Sequence, residues 1–186
     1  MKRIVIGFGG KRRRGKDTSA AYAVAYLKYL GLPVRHDFFA YSLKEAIGRG
    51  VLGFTDEQLY GNLKEVEDLF WGFSPRWALQ HIGTDLLRKG LDNEIWAKTV
   101  ERRAGKDPDT SIILSDLRFP NEVDTVKRLG GYTVLCSRDV PSNESDFHAS
   151  ETALDHFTSW DFRIDNNGTV GDLALQVQRI VDNARS

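Results

Sequence analysis

Short apolar runs alternate along this chain with longer stretches in which apolar residues return every three or four positions. Arg3–Phe8 (RIVIGF) is a β-branched run that stops at Gly9-Gly10, the pattern of a buried strand feeding a turn. Asp17–Leu30 is rich in Ala, Leu and Tyr and ends at Gly31 with Pro33 beyond, which predicts a helix and its stop. Val34–Ala40 predicts a second strand, and Ser42 is placed to cap a short helix over Leu43–Arg49. From Thr55 to Arg103 the pattern is mainly helical. Thr55 and Gln58 have the spacing of a capping box, and Ser74-Pro75 puts Pro at a first helical position. Trp77, Leu79, Ile82, Leu86 and Leu87 then predict one buried face, and a further helix is expected over Asn93–Ala104. Ser111–Ser115 (SIILS) reads as a third strand ending at Asp116, Asn121–Leu129 as a helix, Tyr132–Ser137 as a fourth strand and Phe162–Ile164 as a fifth. Thr169–Ala184 is an amphipathic closing helix, and Arg138–Ser150, without a period, reads as a loop.

Strands separated by helices predict a parallel sheet covered on both faces. A length of 186 residues suits one domain, and 41% hydrophobic residues suffice for a core. Lys plus Arg number 26, as do Asp plus Glu, a balance that argues against a dedicated nucleic-acid binder but leaves room for a local positive pocket. The single cysteine, Cys136, allows no internal disulfide and falls in an apolar run, so a buried thiol is expected. The apolar run after Arg3 is too short for a leader, and no stretch approaches the roughly 20 residues of a membrane helix, so a cytoplasmic place and no membrane partner are expected.

The turn after the first strand carries the chemistry. Gly10, Gly15 and Lys16 hold the fixed positions of G-x-x-x-x-G-K, the phosphate-binding P-loop, between a strand and a helix as the pattern requires. Glycines let successive backbone N–H groups curl around phosphate oxygens, and the following helix N-terminus adds favourable partial charge. Lys16 would reach the β- and γ-phosphates of ATP. Asp17 stands where Ser or Thr usually follows the lysine. It is read as a Mg2+ ligand, directly or through water, with Thr18 donating to an α-phosphate oxygen. The basic run Lys11–Arg14 lies inside this loop, so phosphate binding explains it better than a nucleic-acid patch.

Asp116 stands at the carboxyl end of a buried strand, where open parallel sheets bind ligands, and would hold Mg2+ or orient the acceptor; the bland alternative is a helix cap. Phosphoryl transfer spreads negative charge over the equatorial oxygens and needs cations on both sides. Arg76, Arg88, Arg118 and Arg138 are the candidates, although any one alone reads as a solvated charge. Core packing is the expected place of Trp71, Trp77, Trp96 and Trp160, and His81 and His148 lack zinc spacing.

The segments GGKRRRGKDTSA, FAYSLKEAI, SPRWALQHIGTDLLRKGLDNEIW and SDLRFPNEVD, with the later HASE and DNNGTVGDL, resemble the phage-type deoxynucleoside monophosphate kinases over most of the chain. That resemblance implies an adenylate-kinase-like α/β architecture: a three-layer P-loop NTPase fold with a parallel five-stranded sheet. The core would be 1–54 and 106–186, with a helical acceptor-binding insertion about 55–105 and a lid about 138–157. It also implies phosphorylation of a deoxynucleoside 5′-monophosphate by ATP with Mg2+. Arg13, Gly15, Lys16, Asp17 and Thr18 would then hold ATP, with Asn167 and Gly168 near its adenine. Arg12 and Lys44 would face the acceptor, Arg76, Gln80 and Arg88 fall in the insertion, and Asp116 and Arg118 match the family's strand-end pair. Arg14 departs from the pattern, replacing the small residue often found before the second glycine. Three alternatives stay open: a P-loop kinase of another acceptor, such as phosphomevalonate or dephospho-coenzyme A; a nucleotide-binding regulator without turnover; and a DNA-binding accessory protein, which the neutral charge disfavours. Base choice and a homodimer are left open as well.

Overall fold

The computed structural model describes residues 3–140 and 149–186. Strands β1 (Val5–Gly9), β2 (Val34–Asp37), β3 (Ser111–Leu117), β4 (Tyr132–Ser137) and β5 (Phe162–Asp165) form one sheet in the order β2-β3-β1-β4-β5, with every neighbouring pair parallel. The helices are α1 (Lys16–Tyr29), α2 (Asp56–Leu59), α3 (Pro75–Gln80), α4 (Ile95–Lys106), α5 (Pro120–Arg128), α6 (Ala149–Thr152) and α7 (Val170–Arg185). Leu43–Arg49 and His81–Arg88 form wider π-helical turns. Two compact units result: Met1–Phe38 with Val100–Ser186, and Phe39–Thr99.

In the first unit the apolar runs are buried as a parallel sheet demands. Ile6, Phe8, Ile113, Val134, Cys136 and Ile164 pack on Ala20, Ala23 and Leu27 of α1 and on Leu173, Val177, Ile180 and Val181 of α7. On another side of β1, Gly7 lets helix α5 come close. A Cβ there would lie 2.6 Å from Leu117 Cδ1 and 2.8 Å from Val126 Cγ2. The second unit has its own core of Phe54, Leu59 and Ala78, flanked by Leu52, Tyr60, Phe73 and Leu79. This unit begins at Phe39, before the expected boundary at 55. The reason is packing: Gly48 sits against Leu59 and Leu79, and Gly83 against Leu43.

Most expected elements are present within a residue or two, including the Thr55–Gln58 capping box and Pro75 after the capping Ser74. Four expectations need correction. Ser42 has helical backbone angles and makes no side-chain cap, because the chain turns earlier, with Lys44 N–H donating to the Ala40 carbonyl. Trp77 and Leu86 are 54% exposed, so the expected apolar face is not the buried one. Ala78, Gly83, Thr84 and Arg88 are buried instead, since the wide turn from His81 breaks the 3.6-residue period and small residues permit close approach. Trp71 and Trp77 are likewise not core residues but exposed members of a ring series with Phe70, the partly buried Phe73 and His81, whereas Trp96 is buried with Nε1 donating to the Gly83 carbonyl. Strand β3 runs on through Asp116 to Leu117. Residues 141–148, which hold His148 and much of the expected lid, lie outside the described residues.

The end of β2 is fixed by charge. Asp37 is 4% exposed, and Arg103 of α4 grips it with a fork, Nη2 to Oδ1 at 2.8 Å and Nε to Oδ2 at 3.2 Å. The same guanidinium donates to the Phe38 carbonyl at 2.7 Å, and Arg35 adds a longer contact to Asp37 at 3.4 Å. Arg103→Met leaves the buried carboxylate with only the Phe38 backbone N–H, at 2.7 Å, and the longer Arg35 contact, so urea unfolding should show a loss of about 3 kcal/mol. A loss under about 1 kcal/mol, the range of an exposed pair, would mean that Arg35 or water suffices.

Candidate active site

The loop between β1 and α1 adopts a shape that glycine makes accessible. Gly10 and Gly15 have φ of 126° and 94°, and Arg13 takes the left-handed region at 59°, an uncommon conformation for a non-glycine residue. At Gly10 a Cβ would lie 2.4 Å from the Cys136 carbonyl oxygen, and at Gly15 one would lie 2.3 Å from Asn166 Nδ2. Asn166 donates from Nδ2 to the Arg14 carbonyl at 3.2 Å, tying the loop to the chain after β5. Gly15 starts α1 without a side-chain cap, so the first-turn amides remain for an anion. Lys16 is 7% exposed and donates to the Lys11 carbonyl at 2.7 Å. Asp17 and Thr18 are exposed in the first turn of α1.

Strand β3 meets this loop out of step. Gly7 pairs with Leu114, but Gly9 pairs with Leu117. Ser115 and Asp116 thus fill the length that Phe8 alone spans on β1, a bulge that re-aims side chains. Ser115, 1% exposed, donates to Asp17 Oδ1 at 3.0 Å, and His36 Nε2 lies 3.0 Å from the same hydroxyl. Beyond the bulge, Arg118 pairs with the buried Glu151. Glu122 of α5 accepts from the backbone N–H groups of Arg118 and Phe119, at 2.7 and 3.1 Å, and so caps the helix start. A cavity of about 340 Å³ opens beside the loop, lined by Gly10, Arg14, Arg118, Glu151, Phe157 and Trp160 among others. Trp160 reaches it because Gly9 has no side chain; a Cβ there would lie 2.3 Å from the ring.

A family profile described as deoxynucleotide monophosphate kinase matches residues 52–177, which take in Asp116 and Arg118 but not the glycine loop. A protein of Acanthamoeba polyphaga mimivirus, provisionally named deoxynucleotide monophosphate kinase, is 34% identical over 97% of both chains. The chain belongs to the deoxynucleotide monophosphate kinase family. A deoxynucleoside-5′-monophosphate kinase of Escherichia phage T5 is 37% identical over 54 residues, 29% of this chain and 22% of that protein. Among solved structures, dephospho-CoA kinase from Campylobacter jejuni shares the fold with a TM-score of 0.53 at 13% identity, covering 98% and 97% of the two chains. APS kinase of Mycobacterium tuberculosis, solved with AMPPNP and APS, gives 0.52 at 12% identity, covering 100% and 99%. The fold is therefore that of the P-loop kinases.

In this kinase the carboxyl edge of the sheet brings together most of the expected residues. Gly10, Arg12, Arg13, Gly15, Lys16, Asp17 and Thr18 lie on the loop and first turn, with Asp116 and Arg118 at the end of β3. Arg138 is exposed just past β4. Asn167, after β5, accepts the Asp139 N–H at 2.8 Å and holds Asp165, and Gly168 packs beside Asp172. The remaining four belong to the Phe39–Thr99 unit. Lys44 lies over the Tyr60 ring at 4.2 Å, Arg76 pairs with Glu65 at 2.5 Å, Gln80 is half-buried, and Arg88, 4% exposed, donates to the Asn93 carbonyl at 3.0 Å. Sequence reasoning missed Ser115, His36, Glu151 and Asn166. The SD pair in SIILSD held a signal for Ser115; nothing marks His36.

Among the described residues, no group of three or more His, Cys, Asp and Glu side chains could hold a metal ion. Asp17 is exposed with one oxygen tethered, so its carboxylate fits Mg2+ completed by phosphate oxygens and water, and Asp116 offers a further carboxylate at the end of β3. Electrostatics shape the rest. Burial, and after it Arg118, lower the Lys16 pKa to about 8 against the opposing pull of Glu151 and Asp17. Burial raises the Cys136 thiol to about 11, so it is a packing group, in contact with the Ser19 hydroxyl at 3.7 Å. His36, despite its exposed surface, is lowered by desolvation, against the pull of Asp17, Asp116 and Asp37.

A pH dependence follows from Lys16. Its folded pKa lies below the ordinary lysine value of 10.5, so the unfolded chain binds more protons between about 8 and 10.5, and this group makes stability rise with pH across that window. Nucleotide binding has the opposite trend, because triphosphate needs the charged amine. Calorimetric ATP affinity should be level below pH 8 and fall above it by up to about tenfold per unit. Lys16→Met should abolish the alkaline decline; its persistence would assign the decline to another group.

Proposed function

We propose that this enzyme transfers the γ-phosphoryl group of ATP to a deoxynucleoside 5′-monophosphate, with magnesium as cofactor. The observation that carries the reading is the buried Lys16, framed by Gly10 and Gly15 and sharing one electrostatic cluster with Asp17 and Arg118. The mimivirus and phage T5 relatives support the acceptor class by name, and the fold shared with an APS kinase solved with AMPPNP supports ATP. An oxygen of the acceptor phosphate bonds to the γ-phosphorus as the bond from that phosphorus to the bridging oxygen breaks, and the electron pair leaves with ADP. The attacking oxygen is already anionic, so no base is required, and the protein acts by positioning and charge.

Loop amides and the α1 N-terminus would hold the β-phosphate, with Lys16 leaving the Lys11 carbonyl to bridge β and γ. Thr18 and Arg13 would take further donor oxygens, and Asn167 and Gly168 would border the adenine. Arg118, released from Glu151, would meet the transferring group. Arg12, Lys44, Arg76, Gln80, Arg88 and Arg138 are assigned to the acceptor. Magnesium, bound by Asp17 and Asp116, would offset charge on the triphosphate. Among the described residues no helix is long and apolar enough to cross a membrane. A single buried, unreactive thiol accords with a cytoplasmic setting, which is host cytoplasm for a phage-encoded enzyme.

The test is diphosphate formation from ATP, magnesium and each monophosphate in turn, with dephospho-coenzyme A and phosphomevalonate as controls. Turnover with either control and none with deoxynucleotides would overturn the acceptor. Lys16→Ala should fold and lose about 10²–10³ in kcat. Asp17→Asn should raise the magnesium concentration for half-maximal rate. Among Arg76→Gln, Arg88→Gln and Arg118→Gln, at least one should raise the acceptor KM well beyond its effect on ATP. Wild-type constants in all three would remove these arginines from the acceptor site.

A further inference from the structure

In place of the hydroxyl that usually follows a P-loop lysine, this chain carries a carboxylate. A hydroxyl is short and neutral and is placed by the backbone. A carboxylate has one more rotatable bond and can swing into water, all the more so for Asp17, which is exposed. Something has to hold it if it is to present the same oxygen to each incoming triphosphate.

Ser115 makes the one hydrogen bond to Asp17 among the described residues, and it does so from inside the sheet. The residue is 1% exposed, and its hydroxyl lies 3.0 Å from Asp17 Oδ1. A serine has a single hydroxyl proton, and the carboxylate can only accept, so Ser115 donates to Asp17. His36 Nε2, 3.0 Å from Ser115 Oγ, must then be the donor to that oxygen. The chain of donation runs from His36 through Ser115 to Asp17, with direction fixed at both links. Its parts come from β2, β3 and α1, and the bulge between β1 and β3 sets the Ser115 position. His36 is itself seated by its ring contact with Phe38, centroids 4.4 Å apart.

We infer that Ser115 is a positioning residue for Asp17, and that His36 fixes the direction of the Ser115 hydroxyl. The pair holds one carboxylate oxygen so that the other faces the metal–triphosphate. This rests on the assignment of Asp17 to magnesium under the proposed function. Partners of this kind, which orient a metal ligand without touching the metal, typically change metal affinity by about 10–100-fold when removed.

The test measures binding and turnover separately. ATP affinity is titrated calorimetrically with and without magnesium, Mn2+ uptake by the ATP complex is followed by electron paramagnetic resonance, and kcat is measured against magnesium. Ser115→Ala should weaken the magnesium-dependent part of ATP binding by about tenfold or more, leave magnesium-free ATP affinity unchanged, and raise the half-saturating magnesium. His36→Leu, on an exposed side chain, should give the same effect in smaller degree, and His36→Gln, which keeps an N–H donor, should restore it. A purely structural role predicts a lower melting temperature with an unchanged magnesium response in both Ser115→Ala and His36→Leu, and that result overturns the inference alone. Should Ser115→Ala fail to fold, an unchanged response in His36→Leu overturns the His36 link, and its predicted shift supports the chain. A wild-type protein whose ATP affinity ignores magnesium overturns the Asp17 assignment and the inference with it.

Discussion

The register shift between β1 and β3 governs where the reacting groups can lie. Up to Leu114 the two strands advance in step, and an unbroken β3 would have carried its alternation to the edge unchanged. The extra residue changes the parity. Ser115 faces the P-loop helix with Asp17, while Leu117 reaches the Gly7 and Val126 side. Apolar burial thus continues on one side of the sheet while polar groups gather at the edge on the other. The bulge is confined by packing: Phe8 opposite it is fully buried, as are the neighbours Ile113 and Leu114. Parallel ladders rarely carry bulges, and those that occur often lie beside active sites.

The same edge must hold positive charge before any phosphate arrives. Lys16 is kept in place by the Lys11 carbonyl, Lys11 by Asp155 at 2.9 Å, and Arg118 by Glu151. Lys11 and Lys16, at the two ends of the basic run, thus each have an oxygen partner, which offsets part of the repulsion within it. Burial still lowers the Lys16 pKa, so the unliganded loop sits short of full charge stabilisation. A triphosphate supplies what is missing, and the desolvation already incurred at Lys16 need not be repeated on binding.

The strands, the glycine loop and the helix after it were legible because their signals are local. β-branched runs, Gly10 and Gly15, the Thr55 capping box and Ser74-Pro75 each act over a few residues, and the family segments lay in chain order. What escaped was set by distant contacts. The end of β3 was placed at Ser115 because Asp116 looks like a stop, whereas pairing with Gly9 carries the strand to Leu117. The buried face of His81–Arg88 was misplaced because a π-helical turn has a different period, and a buried Arg88 is invisible to a rule that seeks apolar residues. His36 was missed because its partner is 79 residues away and its own strand gives no polar signal that differs from a surface position.

The arginines illustrate how burial sorts candidates that sequence leaves equal. Arg88 is 4% exposed and committed to the Asn93 carbonyl, so bringing it to an acceptor means breaking an internal contact of its own helical unit. Arg118 differs in kind. Its side chain is 25% exposed, its backbone N–H is anchored by Glu122, and its head group meets Glu151, whose side chain is 1% exposed. The Oε2 of that glutamate is buried without a hydrogen-bond partner among the described residues. A buried carboxylate with one unmet oxygen is costly, and its pairing with Arg118 offsets only part of that cost. Drawing Arg118 toward a phosphate would expose the remaining charge further unless Glu151 moves with it or gains a donor. Were Arg118 to engage a phosphate, the energy of that step would therefore lie in the Glu151 carboxylate as much as in the guanidinium.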